Sequence, residues 1–212
     1  MNHRTVSAVD NRDNNKFIVG GTVVKKVELK VLDVTQGTMG GKPFFLILQE
    51  MDGDRKLSVM IGATEAQAIL IGLRGILVPR PLLCDVYIST LDTFGIKLRE
   101  VIIYKVEDGV YYSSLVLEGD DGTEYIDVRT SDAVALAVRY TVPIYTVETL
   151  MVREHIYEDS NGAISIPVSS VNVSVLKEAL ERAVKDENYE LAAQLRDEIA
   201  RRADKENEKM TE

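Results

Sequence analysis

What this chain has little of narrows its chemistry before any motif is read. Cys84 is its only cysteine, so no internal disulfide can form, four-cysteine zinc sites are excluded, and a reducing compartment is the default. His3 and His155 are its only histidines, too few for a histidine-rich metal site or for histidine-based acid–base chemistry. Any hydrolysis must then fall to carboxylates, with a hard divalent cation as the expected helper. Apolar runs are short: none approaches the roughly 18 residues of a membrane span, and residues 1–16 are polar where a signal peptide would be apolar. A cytoplasmic protein that does not engage a membrane is the expectation. Positive charge is also scarce, 25 Lys and Arg against 34 Asp and Glu, for a formal net charge of -9. Nucleic-acid affinity draws mostly on Lys and Arg neutralising phosphates, so any such contact must be local rather than a broad basic face.

The 212 residues that are present suffice for one good-sized core with an appendage, or for two modest domains. Residues 1–16, with Asn11 to Asn15 in an unbroken polar run, have almost nothing to bury and read as a flexible arm. From residue 17 the pattern changes. Val27, Leu29 and Val31 alternate with polar residues, Phe44 to Gln49 follows as a second strand, Asp52-Gly53 as a hairpin turn and Leu57 to Ile61 as a third strand. A helix is predicted behind Thr64 as cap, with Gln67 three residues on. The same order then recurs: a strand from Val110 to Leu117, a turn at Asp120-Asp121-Gly122, a strand from Tyr125 to Val128 and a helix to about Tyr140 capped by Ser131. At an offset of 67, Phe44 and Phe45 fall on Tyr111 and Tyr112, Thr64 on Ser131, Glu65 on Asp132 and Ala66 on Ala133. An internal duplication of a strand-hairpin-strand-helix unit is the economical reading, and coincidence of two common patterns is the alternative. Between the halves, residues 82–94 favour a strand by the propensity of Val86 to Thr90 and a helix by the spacing of Leu83, Val86, Leu91 and Phe94. A helix is expected there, and a short strand after Pro143.

The expected fold is therefore α+β: a mixed β-sheet with helices from the duplicated unit over residues 17–157, a linker over 158–173, and a C-terminal α-helical hairpin over 174–206. In that tail Leu176, Leu180 and Ala183 make one helical stripe, Ala192, Leu195 and Ile199 another, and Asp186-Glu187-Asn188 breaks between them. A hairpin of this size has little core of its own and wants a partner.

Two resemblances follow from these segments. Ile61-Gly62 with Glu65-Ala66-Gln67-Ala68-Ile69, Pro79-Arg80-Pro81-Leu82 with Asp85, Asp108-Gly109-Val110-Tyr111-Tyr112, and above all Asp127-Val128-Arg129-Thr130-Ser131-Asp132-Ala133 make residues from about 27 to 155 resemble the bifunctional nuclease domain family. The resemblance implies a mixed-sheet α+β fold, a tendency to form a homodimer or higher homo-oligomer, and nuclease activity on DNA and RNA, which is attributed to some members. The chain departs from the pattern twice. The family usually has Thr-His-Asp after Pro-Arg-Pro-Leu where this chain has Leu83-Cys84-Asp85, and Arg-Pro-Ser-Asp where it has Arg129-Thr130-Ser131-Asp132. The first change removes a potential general base or metal ligand. The tail, from about 174 to 205, is similar to the UVR motif of the UvrB and UvrC excision-repair proteins through Tyr189-Glu190-Leu191-Ala192-Ala193-Gln194-Leu195-Arg196-Asp197. Such motifs are protein-interaction hairpins, which points to Leu176, Leu180, Tyr189, Ala192, Leu195 and Arg196 as partner-binding residues.

Phosphodiester hydrolysis needs charge neutralisation at the phosphate and an activated water. The corner from Asp127 to Asp132, where a strand turns into a helix, offers both: Asp127 and Arg129 favour neither strand nor cap, and Asp132 suits the positive end of the helix dipole. Asp85, Asp127, Arg129 and Asp132 are the expected catalytic set. Asp85, Asp127 and Asp132 would hold magnesium or manganese, with Glu65 a weaker fourth ligand, and Arg80 and Arg129 would grip the phosphate. The alternative is that these charges form ion pairs tying the two repeats together. Tyr111, Tyr112, Phe44 and Phe45 read as core or dimer surface before base-stacking. Three functions fit: a metal-assisted nuclease recruited through its hairpin, a non-catalytic dimeric adaptor, and a binder of small anions at the corner.

Overall fold

A long strand of alternating apolar residues organises the sheet. In the computed structural model, which describes residues 6–7, 16–19, 21–37, 43–158, 164–165 and 171–209, this strand is β3 (Thr22–Gln36). Its first residues pair antiparallel with β2 (Lys16–Val19), which pairs with β1 (Val6–Ser7), and its second half pairs antiparallel with β4 (Phe44–Glu50). β4 continues through the Asp52-Gly53 turn into β5 (Lys56–Ile61). A second antiparallel meander follows as β6 (Lys97–Glu107), β7 (Val110–Gly119) and β8 (Gly122–Arg129). β9 (Ile144–Val147) lies between the two groups, antiparallel to β3 and parallel to β6, and so joins them into one mixed sheet. The arm expected over residues 1–16 falls largely outside the described residues; of it, Val6–Ser7 and Lys16 are strand. The linker expected over 158–173 also falls mostly outside them, and its described part includes β11 (Ile164–Ser165), paired with β10 (Tyr157–Glu158).

Helices α1 (Ala63–Leu73) and α3 (Thr130–Tyr140) follow β5 and β8, so the unit of hairpin and helix occurs twice at the offset of 67 expected from the sequence. α3 is the central one. Ala133, Val134, Ala135, Leu136 and Ala137 are all buried, as a helix apolar on every side must be. α1 packs along it closely enough that a Cβ on Gly72 would stand 3.0 Å from Val138 Cγ1. α2 (Leu83–Thr93) fills residues 82–94 except for its caps Leu82 and Phe94, as the helix expected there, with Leu91 turned inward, and α4 (Glu148–Glu154) buries Leu150 and Met151. Tertiary burial of one face outweighs the strand propensity of Val86 to Thr90.

Thr64 and Ser131 are not the caps. α1 starts at Ala63 behind Gly62 and α3 at Thr130 behind Arg129, each cap two residues before the expected one; neither N-cap side chain accepts a hydrogen bond from a first-turn amide. The strand ladders run to Ile61 and Arg129 with no loop between strand and helix, so the cap positions are held by the end of the strand. The Thr130 hydroxyl is occupied elsewhere, in a buried 2.6 Å hydrogen bond with the Ser113 hydroxyl of β7.

β9 is clamped from both sides. Lys26 of β3, 6% exposed, donates from Nζ to Glu100 Oε1 of β6 at 2.7 Å and to Oε2 at 2.9 Å, crossing the Tyr145 ring of β9 at 4.4 Å from its centroid. A second tie runs from Arg55, which reaches Glu50 of the β4–β5 hairpin and Glu148 of α4, each at 2.6 Å.

The tail forms the expected hairpin, α5 (Val173–Lys185) and α6 (Tyr189–Lys209). Asn172 caps α5 by accepting from the Val175 amide at 3.1 Å. Leu176, Ala183, Ala192 and Leu195 form a core separate from that of the sheet, with Leu180 and Ile199 packed against it. Glu198 gathers Arg201 at 2.5 Å and Arg202 at 2.7 Å, and Arg202 also donates to the Val171 carbonyl at 2.6 Å.

Two outcomes are expected from these ties. Lys26→Ala leaves a carboxylate half-enclosed without its partner and should cost about 3 kcal/mol in urea unfolding, whereas the double change Lys26→Met with Glu100→Leu should recover most of the loss. In the hairpin, hydrogen bonds from Arg201 first, and then Arg202, hold the Glu198 carboxyl down at about 2 from its ordinary 4.5. A depressed folded-state pKa gives stability that is present above about pH 4.5 and lost as pH falls towards 2. The melting-temperature gap between the parent chain and Glu198→Gln should therefore close over that window.

Candidate functional site

Each of the three helices nearest one another starts with an acid in its third position: Glu65 in α1, Asp85 in α2 and Asp132 in α3. There a carboxylate meets unpaired first-turn amides and the positive end of the helix dipole. The duplication makes Glu65 and Asp132 equivalent, and the packing of α1 on α3 brings both to one guanidinium. Arg129 lies side-on to Asp132, Nε to Oδ2 at 2.7 Å and Nη2 to Oδ1 at 3.2 Å, while its Nη1 is 3.2 Å from Glu65 Oε1. Arg129 is nevertheless 70% exposed, against 22% for Glu65 and 41% for Asp132. Asp132 first, with Glu65 adding to it, holds its guanidinium firmly protonated. The first unit has Gly62 at the position matching Arg129. A Cβ there would run into the Glu65 carboxylate, which folds back over the glycine.

Gly62, Glu65 and Arg129 line a cleft of about 260 Å³ with Tyr111, Thr130, Ser131 and, from the entrance to the hairpin, Asn172; Asp132 holds Arg129 from outside this lining. The chemistry available in it is one cation, Arg129, beside the Glu65 carboxylate and oriented by Asp132. N–H donors remain on both Nη atoms of Arg129 beyond the contacts already made.

The other expected site residues stand elsewhere. Asp85 is the stem of a structural ion pair: its Oδ1 accepts from Arg139 Nε at 2.8 Å, and its Oδ2 accepts from Arg139 Nη2 at 2.9 Å and from the Leu82 amide at 2.8 Å. The Arg139 hydrogen bonds, with the Leu82 amide second, hold its carboxyl below the usual range. Asp127 accepts from the Tyr104 hydroxyl at 3.2 Å on the exposed part of the sheet. Burial, and then the Asp127 charge, pushes that phenol up to about 12. Arg80 is exposed in the segment between α1 and α2 and does not line the cleft. Among the described residues no three His, Cys, Asp or Glu side chains come together as a metal site. Asp85, Asp127 and Asp132 have Arg139, Tyr104 and Arg129 as separate partners, so as a set they do not fit one shared divalent ion. Cys84, next to Asp85, is pushed up by burial and then by the Asp132 and Asp85 charges, so it stays a thiol at neutral pH and does not replace an imidazole as base.

Arg139 and Tyr104 were not legible as partners. The one signal was Arg139 lying seven residues beyond Asp132, two turns along the same helix face. In the hairpin, Leu176, Leu180, Ala192 and Leu195 pack on one another rather than facing outward, which leaves Tyr189 and Arg196 of the expected partner-binding set on the surface. Exposed apolar side chains do gather near the bend, at Val184, Tyr189 and Leu191.

The two arginines should separate in a stability assay. Asp85→Ala strands the half-buried Arg139 and should lower unfolding free energy by about 2 kcal/mol, while Arg129→Ala removes an exposed pair and should leave the urea midpoint in place. The reverse order would mean that the cleft is the structural tie and Asp85 the free group.

Comparison with known proteins agrees with this architecture. The bifunctional nuclease domain profile matches residues 46–159 and the UvrB/UvrC motif matches residues 171–201. An uncharacterized protein of Mycobacterium tuberculosis is 33% identical over 144 residues, 67% of this chain and 86% of the relative. Bifunctional nuclease 1 of Oryza sativa subsp. japonica and the bifunctional nuclease of Oryza minuta are each 32% identical over 103 residues, 47% of this chain and 31% of the relative. With the profile spanning more than half the chain and covering both helix-starting corners of the cleft, the protein belongs to the bifunctional nuclease domain family and carries a UvrB/UvrC motif as its helical hairpin.

Proposed function

We propose that this chain is a nuclease that hydrolyses phosphodiester bonds of DNA or RNA at the Arg129 cleft. The observation that carries the reading is a guanidinium 70% exposed in a cleft yet oriented by two carboxylates. A phosphate oxygen can take the free Nη donors without the arginine giving up Asp132, and charge developing on the phosphoryl group meets a cation that is already in place. Asp132 orients Arg129. Glu65 is the group placed to accept a proton from an attacking water, because its single contact to Arg129, at 3.2 Å, is the looser of the two. The relatives from rice, named as bifunctional nucleases, support the reaction class. A cytoplasmic location and recruitment through the hairpin belong to the same reading, with Tyr189 and its apolar neighbours at the bend as the contact surface.

A second reading has one observation in its favour. Leu77, Leu83 and Phe94, on and beside α2, are 96%, 84% and 74% exposed, a surface that suits burial between two copies of the chain. A dimeric adaptor without catalysis would need this surface and the hairpin but not the cleft.

The two readings separate on purified protein offered single- and double-stranded DNA and RNA in magnesium, in manganese and in chelator. Cleavage should fall by roughly a hundredfold in Arg129→Ala and in Glu65→Gln, with both variants folded. Unchanged cleavage in Arg129→Ala would remove the cleft from consideration. No cleavage under any condition by a chain that sediments as a dimer would favour the adaptor.

A further inference from the structure

One residue lining the Arg129 cleft, Asn172, comes from the entrance to the hairpin, beside Gly109 and Val110 of the β6–β7 turn. The β6–β7 turn is made by Asp108 and Gly109 at φ of 52° and 80°, the double positive φ of a tight hairpin. A Cβ on Gly109 would lie 2.6 Å from both the carbonyl carbon and oxygen of Val171 and 2.8 Å from the Asn172 amide. Glycine thus lets the chain entering α5 rest directly on the turn. Arg202, 3% exposed, holds Val171 in that position through its carbonyl, and the charge of Asp108 reaches Arg201. Asn172 then lines the Arg129 cleft on one side and, on the other, a second gap of about 380 Å³ between Met60, Ile61 and Gly62 and the first turn of α5.

With Asn172 in place the cleft holds about 260 Å³, below the roughly 300–1,000 Å³ of ligand pockets and tight for a polynucleotide strand. The hairpin has its own apolar cluster, distinct from the core of the sheet, so neither body needs the other to bury its interior. The geometry points to an autoinhibitory contact: the hairpin, seated on the Asp108–Gly109 turn through Val171 and Asn172, gates the Arg129 cleft, and lifting it off the turn admits the substrate. This rests on the reading of the cleft as the phosphodiester site, and the test keeps the two apart.

The gate is read without substrate by placing a single thiol in the cleft, Met60→Cys in a Cys84→Ala chain, and following its labelling by a maleimide. Two releases are compared. Gly109→Asn keeps a residue that tolerates positive φ but drives a Cβ into the Val171 backbone, and Arg202→Ala removes the Val171 anchor. Gly21→Asn is the control, since Gly21 has φ of 82° and nothing within 4 Å of its Cβ. Labelling should rise roughly tenfold in both releases, the effect of losing one hydrogen bond from a charged group, and not in the control. Cleavage of a single-stranded oligonucleotide by the same substitutions in the otherwise native chain should rise in parallel. Unchanged labelling in the folded releases overturns the gate, as does increased labelling when the native chain cleaves and the releases cleave no faster. Increased labelling when no chain cleaves anything keeps the gate and overturns the phosphodiester reading. If Gly109→Asn does not fold, Arg202→Ala decides alone.

Discussion

The cleft depends on a four-residue strand. β9 is short, yet among the described strands it is the one whose ladders join the β3–β4–β5 group to the β6–β7–β8 group, and the Lys26–Glu100 pair closes over it through the Tyr145 ring. An ion pair taken out of water returns little net stability against an apolar substitute, but it is costly to misplace, so it specifies one arrangement. Here the arrangement specified is the relative placement of the two groups. That placement puts α1 beside α3 and lets an arginine from the second group touch an acid from the first. The chain bends sharply to reach β9: Thr141, a β-branched residue, ends α3 at φ of 57°. Such a conformation costs of order 1–2 kcal/mol and persists because the strand beyond it is held in register on both edges.

Duplication explains why the acids are where they are. A carboxylate in the third position of a helix is favoured by the helix itself, whatever else it does, so Glu65, Asp85 and Asp132 each have a stabilising reason to exist. Their partners divide them. Arg139 engages both oxygens of Asp85 and makes it the tie between α2 and α3, which removes it from chemistry. Arg129 takes the other two acids and remains largely open to solvent.

Much of the fold was legible because its signals are local. Asp-Gly turns between alternating apolar runs marked the hairpins, and the 67-residue offset placed α1 and α3 before any contact was known. What was not legible depends on packing between distant segments. The caps lie two residues before Thr64 and Ser131 because Ile61 and Arg129 stay on their ladders to the helix start, and no residue preference reports how far a ladder runs. Asp85 and Arg139 are 54 positions apart, so their pairing follows from how α2 crosses α3 and leaves no trace in either segment alone. In the tail both apolar stripes were correct, but a stripe does not say whether it faces a partner or the next helix; the short bend at 186–188 turned the two towards each other.

The difference between the two repeats follows from charge. If the first unit carried an arginine where it has Gly62, two guanidiniums would meet at adjacent helix starts, where the dipoles already disfavour cations. Its side chain would also occupy the space into which the Glu65 carboxylate folds. With glycine there, Glu65 turns back over its own helix start and across to Arg129, and a single cation serves the acids of both units. The Glu65–Arg129–Asp132 cluster is then one negative charge in excess, on a chain whose formal net charge is -9. A polyanion gains nothing from the long-range field of such a protein and must be held by short-range geometry at Arg129. On the proposed nuclease reading, whether a strand can reach the guanidinium at all matters more than how strongly the surface attracts it, and Asn172, at the entrance to the hairpin, stands where that access is set.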